Sequence, residues 1–227
     1  MSFATVLREG TSEEHKAAEG STFIRCFMKG ILEKGTYAKH LEAFYFVYES
    51  MEEELERHTG NVVLKSIHFP ELYRKGALLE DLQFFYETWK PTDHQPSAAT
   101  QVYVKRIRNI SETRPELLAA HSYVRYLGDL SGGQILKKVA ARALNLPEGQ
   151  GISFYEFPAI QDINGFKQNY RAALDSLPVN DSEKQAILSE SKQVFLLNQG
   201  IFSELEQDLI SAIGKEVYDT VLGKGLI

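Results

Sequence analysis

The sequence predicts an all-α helical bundle, folded as one domain over residues 1–227, and three observations predict it. Apolar residues recur at intervals of three and four, and the period-two alternation of a strand is confined to Ile152–Phe157. The seven prolines begin only at Pro70, so helices can run unbroken before it. The 227 residues, 43% apolar and 25% charged, have the size and balance of a soluble globular domain with a sizeable core.

Taken in order, Ser2 to Ala18 mixes apolar and charged residues at helical spacing, with Phe3, Val6 and Leu7 followed by Glu14 and His15. Ser21 or Thr22 caps a second helix through Phe23, Ile24, Phe27, Met28 and Ile31. Gly35 and Thr36 separate it from a third, which carries Tyr37, Leu41, Phe44, Tyr45, Tyr48 and Met51. Asn61 to Pro70 reads as a short helix and a turn, Leu72 to Trp89 as a helix, and Lys90 to Ser97 as a loop. Ala98 to Ile110 is the next helix. Thr113-Arg-Pro-Glu116 then starts another with a capping threonine, a first-turn proline and a glutamate three on, running to about Leu144. Leu146 to Ile160 is an irregular link, Asp162 to Ser176 is helical, and Asp181 or Ser182 opens a long helix ending near Ile213.

Several chemistries are excluded. A single cysteine, Cys26, permits no internal disulfide and no cysteine-rich zinc site. No histidine follows a glutamate by three residues, so the ligand pair of di-iron bundles is absent. There is no zinc-protease motif and no phosphate-binding glycine loop, and Asp129 stands where a serine nucleophile elbow needs glycine. The net charge of −6 argues against nucleic-acid binding and requires any anion site to be a local basic cluster. The N-terminus lacks a signal-peptide core and no apolar stretch reaches the ~20 residues of a membrane span, so a cytoplasmic chain without an anchor is expected.

One helix breaks the local rules. Between His121 and Lys137 the apolar spacing is helical, yet Gly128, Gly132 and Gly133 fall within six positions. Each interior glycine costs about 1 kcal/mol relative to alanine. Gly128 and Gly132 share a face, and a bare face admits either a packed helix or something flat and bulky, and permits a kink. Asp129 lies beside this strip, four residues after Arg125, where it can pair at the surface or anchor a polar network in a pocket.

Tyr126-Leu-Gly-Asp-Leu-Ser-Gly-Gly-Gln134 resembles the distal-helix signature of the haem oxygenases. The likeness runs from about Leu7 to about Leu205 and includes Phe69-Pro-Glu-Leu, Leu82-Gln-Phe, Pro115-Glu-Leu-Leu and Phe195-Leu-Leu-Asn198. It implies haem sandwiched between a proximal N-terminal helix and a kinked, glycine-rich distal helix. His15 falls on the position of the axial iron ligand and Glu19 on that of its supporting carboxylate. One helical turn apart, a carboxylate can hold one ring proton and leave the other nitrogen for metal. Gly20 departs from the Asn or Ser common there, and Val124 from a threonine.

The resemblance further implies a catalytic group of Asp129 with Arg125, Gly128, Gly132 and Tyr48. Asp129 would hold waters that deliver protons. The haem contacts it implies are Arg8, Glu19, Tyr123, Gly128, Gly132, Gly133, Lys167, Arg171, Phe195, Asn198 and Phe202. Among these, Arg8, Lys167 and Arg171 would meet the two propionates, and Lys167 and Arg171 lie four apart. A core stripe accounts for Phe195 and Phe202 as well as a haem wall does.

The implied reaction uses haem as cofactor and substrate. With O2 and electrons from a ferredoxin or another reductase, the ring opens at a meso carbon, the α position expected, to biliverdin, carbon monoxide and ferrous iron. A bilin or biliverdin reductase downstream, a place in phycobilin synthesis and a monomeric state are also expected. Two rivals remain open: a non-catalytic haem carrier or sensor, and a thiaminase-like helical enzyme with Cys26 as nucleophile. Cys26 lies in an apolar helix, where a buried structural thiol is expected.

Overall fold

The structure is a computed structural model that describes residues 1–223. Residues 224–227 lie outside the described residues. Eleven α-helices occur among the described residues: α1 (Phe3–Gly10), α2 (Ser12–Glu19), α3 (Thr22–Met28), α4 (Lys34–Arg57), α5 (Lys75–Tyr86), α6 (Ala98–Thr113), α7 (Leu118–Asp129), α8 (Gly133–Ala143), α9 (Ile163–Asp175), α10 (Asp181–Ile213) and α11 (Lys215–Val221). No strand is present among those residues, and no helix is long and apolar enough to cross a membrane.

Two long helices organise the bundle. α4 is buried on most of its circumference and packs against α5, α6, α7 and α10. α10 runs past α1, α2, α3, α4, α6 and α7, so it ties the N-terminal helices to the glycine-rich segment. An ion pair of 3.0 Å from Lys192 to Glu14 fixes α2 on α10. The core is continuous between them, from Leu7 through Tyr48 and Leu118 to Leu205.

Several boundaries differ from expectation for identifiable reasons. The expected Ser2–Ala18 helix is broken at Thr11, whose hydroxyl donates to the Leu7 carbonyl at 2.7 Å. This lets α1 lie on α9 while α2 lies on α10. Gly35 and Thr36 do not separate helices; they form the first turn of α4, their N–H groups held by the Glu33 carboxylate at 2.8 Å each. Thr113 does not cap a new helix. It still belongs to α6, its hydroxyl donates to the Asn109 carbonyl, and Pro115–Leu117 form a 3-10 turn before α7. α10 begins at Asp181 as expected, but Asn180 is its cap, in a reciprocal pair with Glu183.

The alternation at Ile152–Phe157 is not a strand. Ser153–Tyr155 form a tight turn, and the N–H groups of Ser153 and Phe154 both donate to Asp81 at 2.8 Å. Burial raises the Asp81 carboxyl to about 6 against the pull of these bonds. This turn places Phe154 and Tyr155 on the wall of a large cavity.

Candidate functional site

The glycine-rich segment is not one helix but two. α7 ends at Asp129, Leu130 to Gly132 form a turn, and α8 starts at Gly133. The N–H of Ser131 donates to Gly128 and those of Ile135 and Leu136 to Gly132, so these bonds bridge the bend. A methyl group on Gly128 would meet nothing within 4 Å, and one on Gly132 only the Gly128 carbonyl at 3.7 Å. Their bare faces therefore open on a cavity and not on a packed helix. Gly133 differs, because a methyl there would stand 3.3 Å from the Tyr155 ring. It lines the cavity, but close packing accounts for its missing side chain.

That cavity has a volume of about 1080 Å³, slightly above the ~300–1,000 Å³ range of ordinary small-molecule pockets. α2 lines it with His15 and Glu19, and α10 with Phe195, Asn198 and Phe202. Arg8 of α1, Lys167 and Arg171 of α9, which packs on α1, and Tyr123 of α7 also line it. Among the described residues neither Lys167 nor Arg171 has a carboxylate at ion-pair distance. Of the residues expected at the site, only Tyr48 is not on the cavity wall; it is wholly buried behind Asp129.

His15 Nδ1 lies 3.5 Å from a Glu19 carboxylate oxygen, and the Phe195 ring meets the imidazole edge-on at 5.7 Å. With Nδ1 turned to Glu19, Nε2 is the nitrogen left for a ligand. The imidazole is about half exposed, at 53%, as a group addressed to a large cavity must be.

Asp129 sits in a buried polar group. Tyr48 donates to one of its oxygens, and an Arg125 Nη lies 3.4 Å from the other. Arg125 also donates from Nε to the Tyr48 oxygen at 3.0 Å and from Nη1 to Asn198 at 2.8 Å. Asn198 is oriented in turn by donating to the Val194 carbonyl at 2.8 Å. Burial raises the Asp129 carboxyl from its ordinary value, and Arg125, Tyr48 and Arg74 offset part of that rise. Burial works against the Arg125 charge, but Tyr48, Asp129 and Tyr103 outweigh it and hold the guanidinium protonated. The group can fix a carboxylate and its attached waters at the cavity wall.

Sequence reasoning missed part of the wall. His40 and Phe44 of α4, and Phe154 and Tyr155 of the Asp81-held turn, all line the cavity. Phe44 continues the helical spacing from Tyr37, and that signal was readable as core only. Cys26 is fully buried, and burial pushes its thiol up, away from the thiolate a nucleophile needs.

The residues fit a large, flat, anionic macrocycle. His15 offers an imidazole nitrogen, Gly128 and Gly132 a strip without side chains, Phe195 and Phe202 apolar walls, and Arg8, Lys167 and Arg171 positive charge. Comparison with known proteins agrees. The family model for heme oxygenase matches residues 1–204. Heme oxygenase 1 of Synechocystis is 47% identical over 97% of this chain and 92% of its own, and the heme oxygenase of Guillardia theta is 50% identical over 93% and 90%. The crystal structure of the Synechocystis heme oxygenase-1 in complex with heme covers 97% of this chain and all of its own with a TM-score of 0.91. The structure of heme oxygenase from Leptospira interrogans, 88% identical, covers 90% of this chain and all of its own with a TM-score of 0.88. The chain belongs to the haem oxygenase family, and its function is the family's cleavage of haem to biliverdin.

Proposed function

We propose that haem lies between α2 and the bent α7–α8 segment and is opened there at the α-meso carbon. O2 and electrons from a ferredoxin or another reductase are consumed, and carbon monoxide and ferrous iron leave with biliverdin. The observation that carries this reading is the joint placement of His15, the bare Gly128–Gly132 strip and the buried Asp129 group on one cavity.

Haem supplies the iron that binds and reduces O2 and the porphyrin edge that is attacked. The chain supplies position and protons. His15 ligates through Nε2, with Glu19 accepting from Nδ1; a neutral imidazole gives the iron less electron push than a thiolate would. Gly128 and Gly132 let the backbone press on the ring and leave one edge open to attack. Asp129, held by Tyr48 and Arg125, keeps waters at that wall and passes protons through them. Tyr48, behind the wall, acts through Asp129. Arg8, Lys167 and Arg171, with Tyr123, hold the propionates and so fix the rotation of the ring; this supports α selectivity.

On the same reading the chain works as a monomeric, cytoplasmic single domain over 1–227. It passes biliverdin to a bilin reductase, in keeping with the cyanobacterial and algal relatives. The test is to add haem, ferredoxin and its reductase, and follow absorbance. The haem Soret band should give way to biliverdin. A stable Soret band under reducing, aerobic conditions would make the protein a haem carrier instead.

A further inference from the structure

α4 presents to the cavity a second histidine that the reaction described above does not use. His40 is 1% exposed and lines the cavity. Neither of its ring nitrogens has a hydrogen-bond partner among the described residues. Its neighbours are aromatic: Phe44 at 4.2 Å between ring centroids, Phe23 at 5.7 Å, Phe27 at 6.1 Å, and Tyr37 and Phe202 at 6.3 Å. Burial, with the Arg125 charge adding to it, lowers its pKa to about 3, so the ring is neutral, with one N–H and one lone pair.

Such a ring is out of place as mere filling. Leucine or phenylalanine would pack among these aromatics with no polar atom to satisfy, whereas buried donors and acceptors left unmet are strongly unfavourable. Both nitrogens are enclosed, and the cavity that the ring lines is the space from which a partner can reach them. Phe44 carries His40 on one flank and Arg125 close by, with the guanidinium carbon 4.2 Å from the Phe44 centroid. The imidazole and the Arg125 guanidinium thus both pack on the Phe44 ring. A buried water needs two to four polar partners, and a neutral imidazole at a cavity wall provides a donor or an acceptor for one.

We propose that His40 is a positioning residue that anchors a water in the aromatic end of the cavity, extending the Asp129–Arg125 network past Phe44. The catalytic consequence rests on the haem-cleavage reading above; the water anchor itself does not.

The test has two arms. In the first, NMR of the haem-free protein follows the His40 ring. The expected result is a neutral imidazole whose N–H shows a cross-peak to a long-lived water, lost in His40→Leu. No water cross-peak, or a clear gain in thermal stability in His40→Leu, would show a dry, merely packed ring and overturn the anchor. In the second arm, biliverdin formed per electron supplied is compared for wild type, His40→Leu and His40→Gln. Loss of one neutral hydrogen bond predicts about a fivefold drop in water occupancy, and a comparable fall in coupling, for His40→Leu. His40→Gln, which keeps a donor and an acceptor, should restore most of it. Equal coupling in all three proteins, or a glutamine variant as impaired as the leucine one, would refute the role. If wild type itself yields no biliverdin, the haem-cleavage reading fails while the first arm still decides the anchor.

Discussion

Replacing Gly128 with alanine should make the empty protein more stable and the functional protein worse. Gly128 lies in the last turn of α7, and the added methyl would find nothing within 4 Å. With no clash, only the helix-propensity gain remains, about 0.5–1 kcal/mol. For a chain of this length that raises the Tm by roughly 1–4 °C. The same methyl projects into the space where a flat ligand must press against the backbone. An overpacked contact costs about 1–3 kcal/mol, which corresponds to roughly 5- to 150-fold weaker haem binding. Thermal unfolding of the haem-free variant by circular dichroism gives the first number, and haem titration at the Soret band gives the second. Gly133→Ala is the control: its methyl would stand 3.3 Å from Tyr155, so no stability gain is expected. A lowered Tm for haem-free Gly128→Ala, or haem affinity within twofold of wild type, would refute the bare-cradle argument.

Asp129→Ala removes the acceptor of Tyr48 and Arg125, and should cut biliverdin yield roughly 10²-fold while haem still binds; normal yield in a turnover assay would exclude the proton-delivery role. Charge reversal of Lys167 and Arg171 together should give a mixture of biliverdin isomers on chromatography, and one unchanged isomer would refute propionate anchoring. The buried Glu190 provides a pH prediction. Burial opposes its ionisation, but bonds from His121 at 3.0 Å and Arg106 at 2.9 Å lower its carboxyl to about 2, from 4.5. Its folded pKa is depressed, so its stabilisation is complete above about pH 4.5 and disappears as the pH falls towards 2. The amount is of order 3 kcal/mol. Glu190→Gln should flatten that part of the acid-unfolding curve; the same slope in the variant would locate the acid sensitivity elsewhere.

The helical class was legible because spacing of three and four is a local property, and so was the long α10, whose amphipathic run ends where Gly214 stands. What escaped was set by distant partners. Thr113 looks like a cap, but α6 continues through it and its hydroxyl turns back to Asn109. The alternation at Ile152–Phe157 looks like a strand, because a turn held by a carboxylate 72 residues earlier also buries neighbouring side chains. In the site, the motif around Asp129 and the pair His15 and Glu19 were readable from residue type and spacing. His40 was not, since a lone histidine among aromatics has no sequence pattern that tells cavity wall from core. The split in purpose between Gly128 and Gly133 was hidden for a similar reason: only Tyr155, brought in by the Asp81-held turn, distinguishes them.

The way α10 closes the bundle also dictates the order of events during synthesis. His15 emerges near the start of the chain, whereas Phe195, Asn198 and Phe202 are nearly the last part of the cavity to be made. α2 has eight residues and a polar sequence, too short to persist as a helix alone. Until α10 docks, the nascent chain therefore offers the metal a tethered imidazole but no enclosure. The enclosed cavity is complete only once α10 is in place. A ligand that binds the finished state adds about 2.7 kcal/mol to it at a hundredfold excess over Kd.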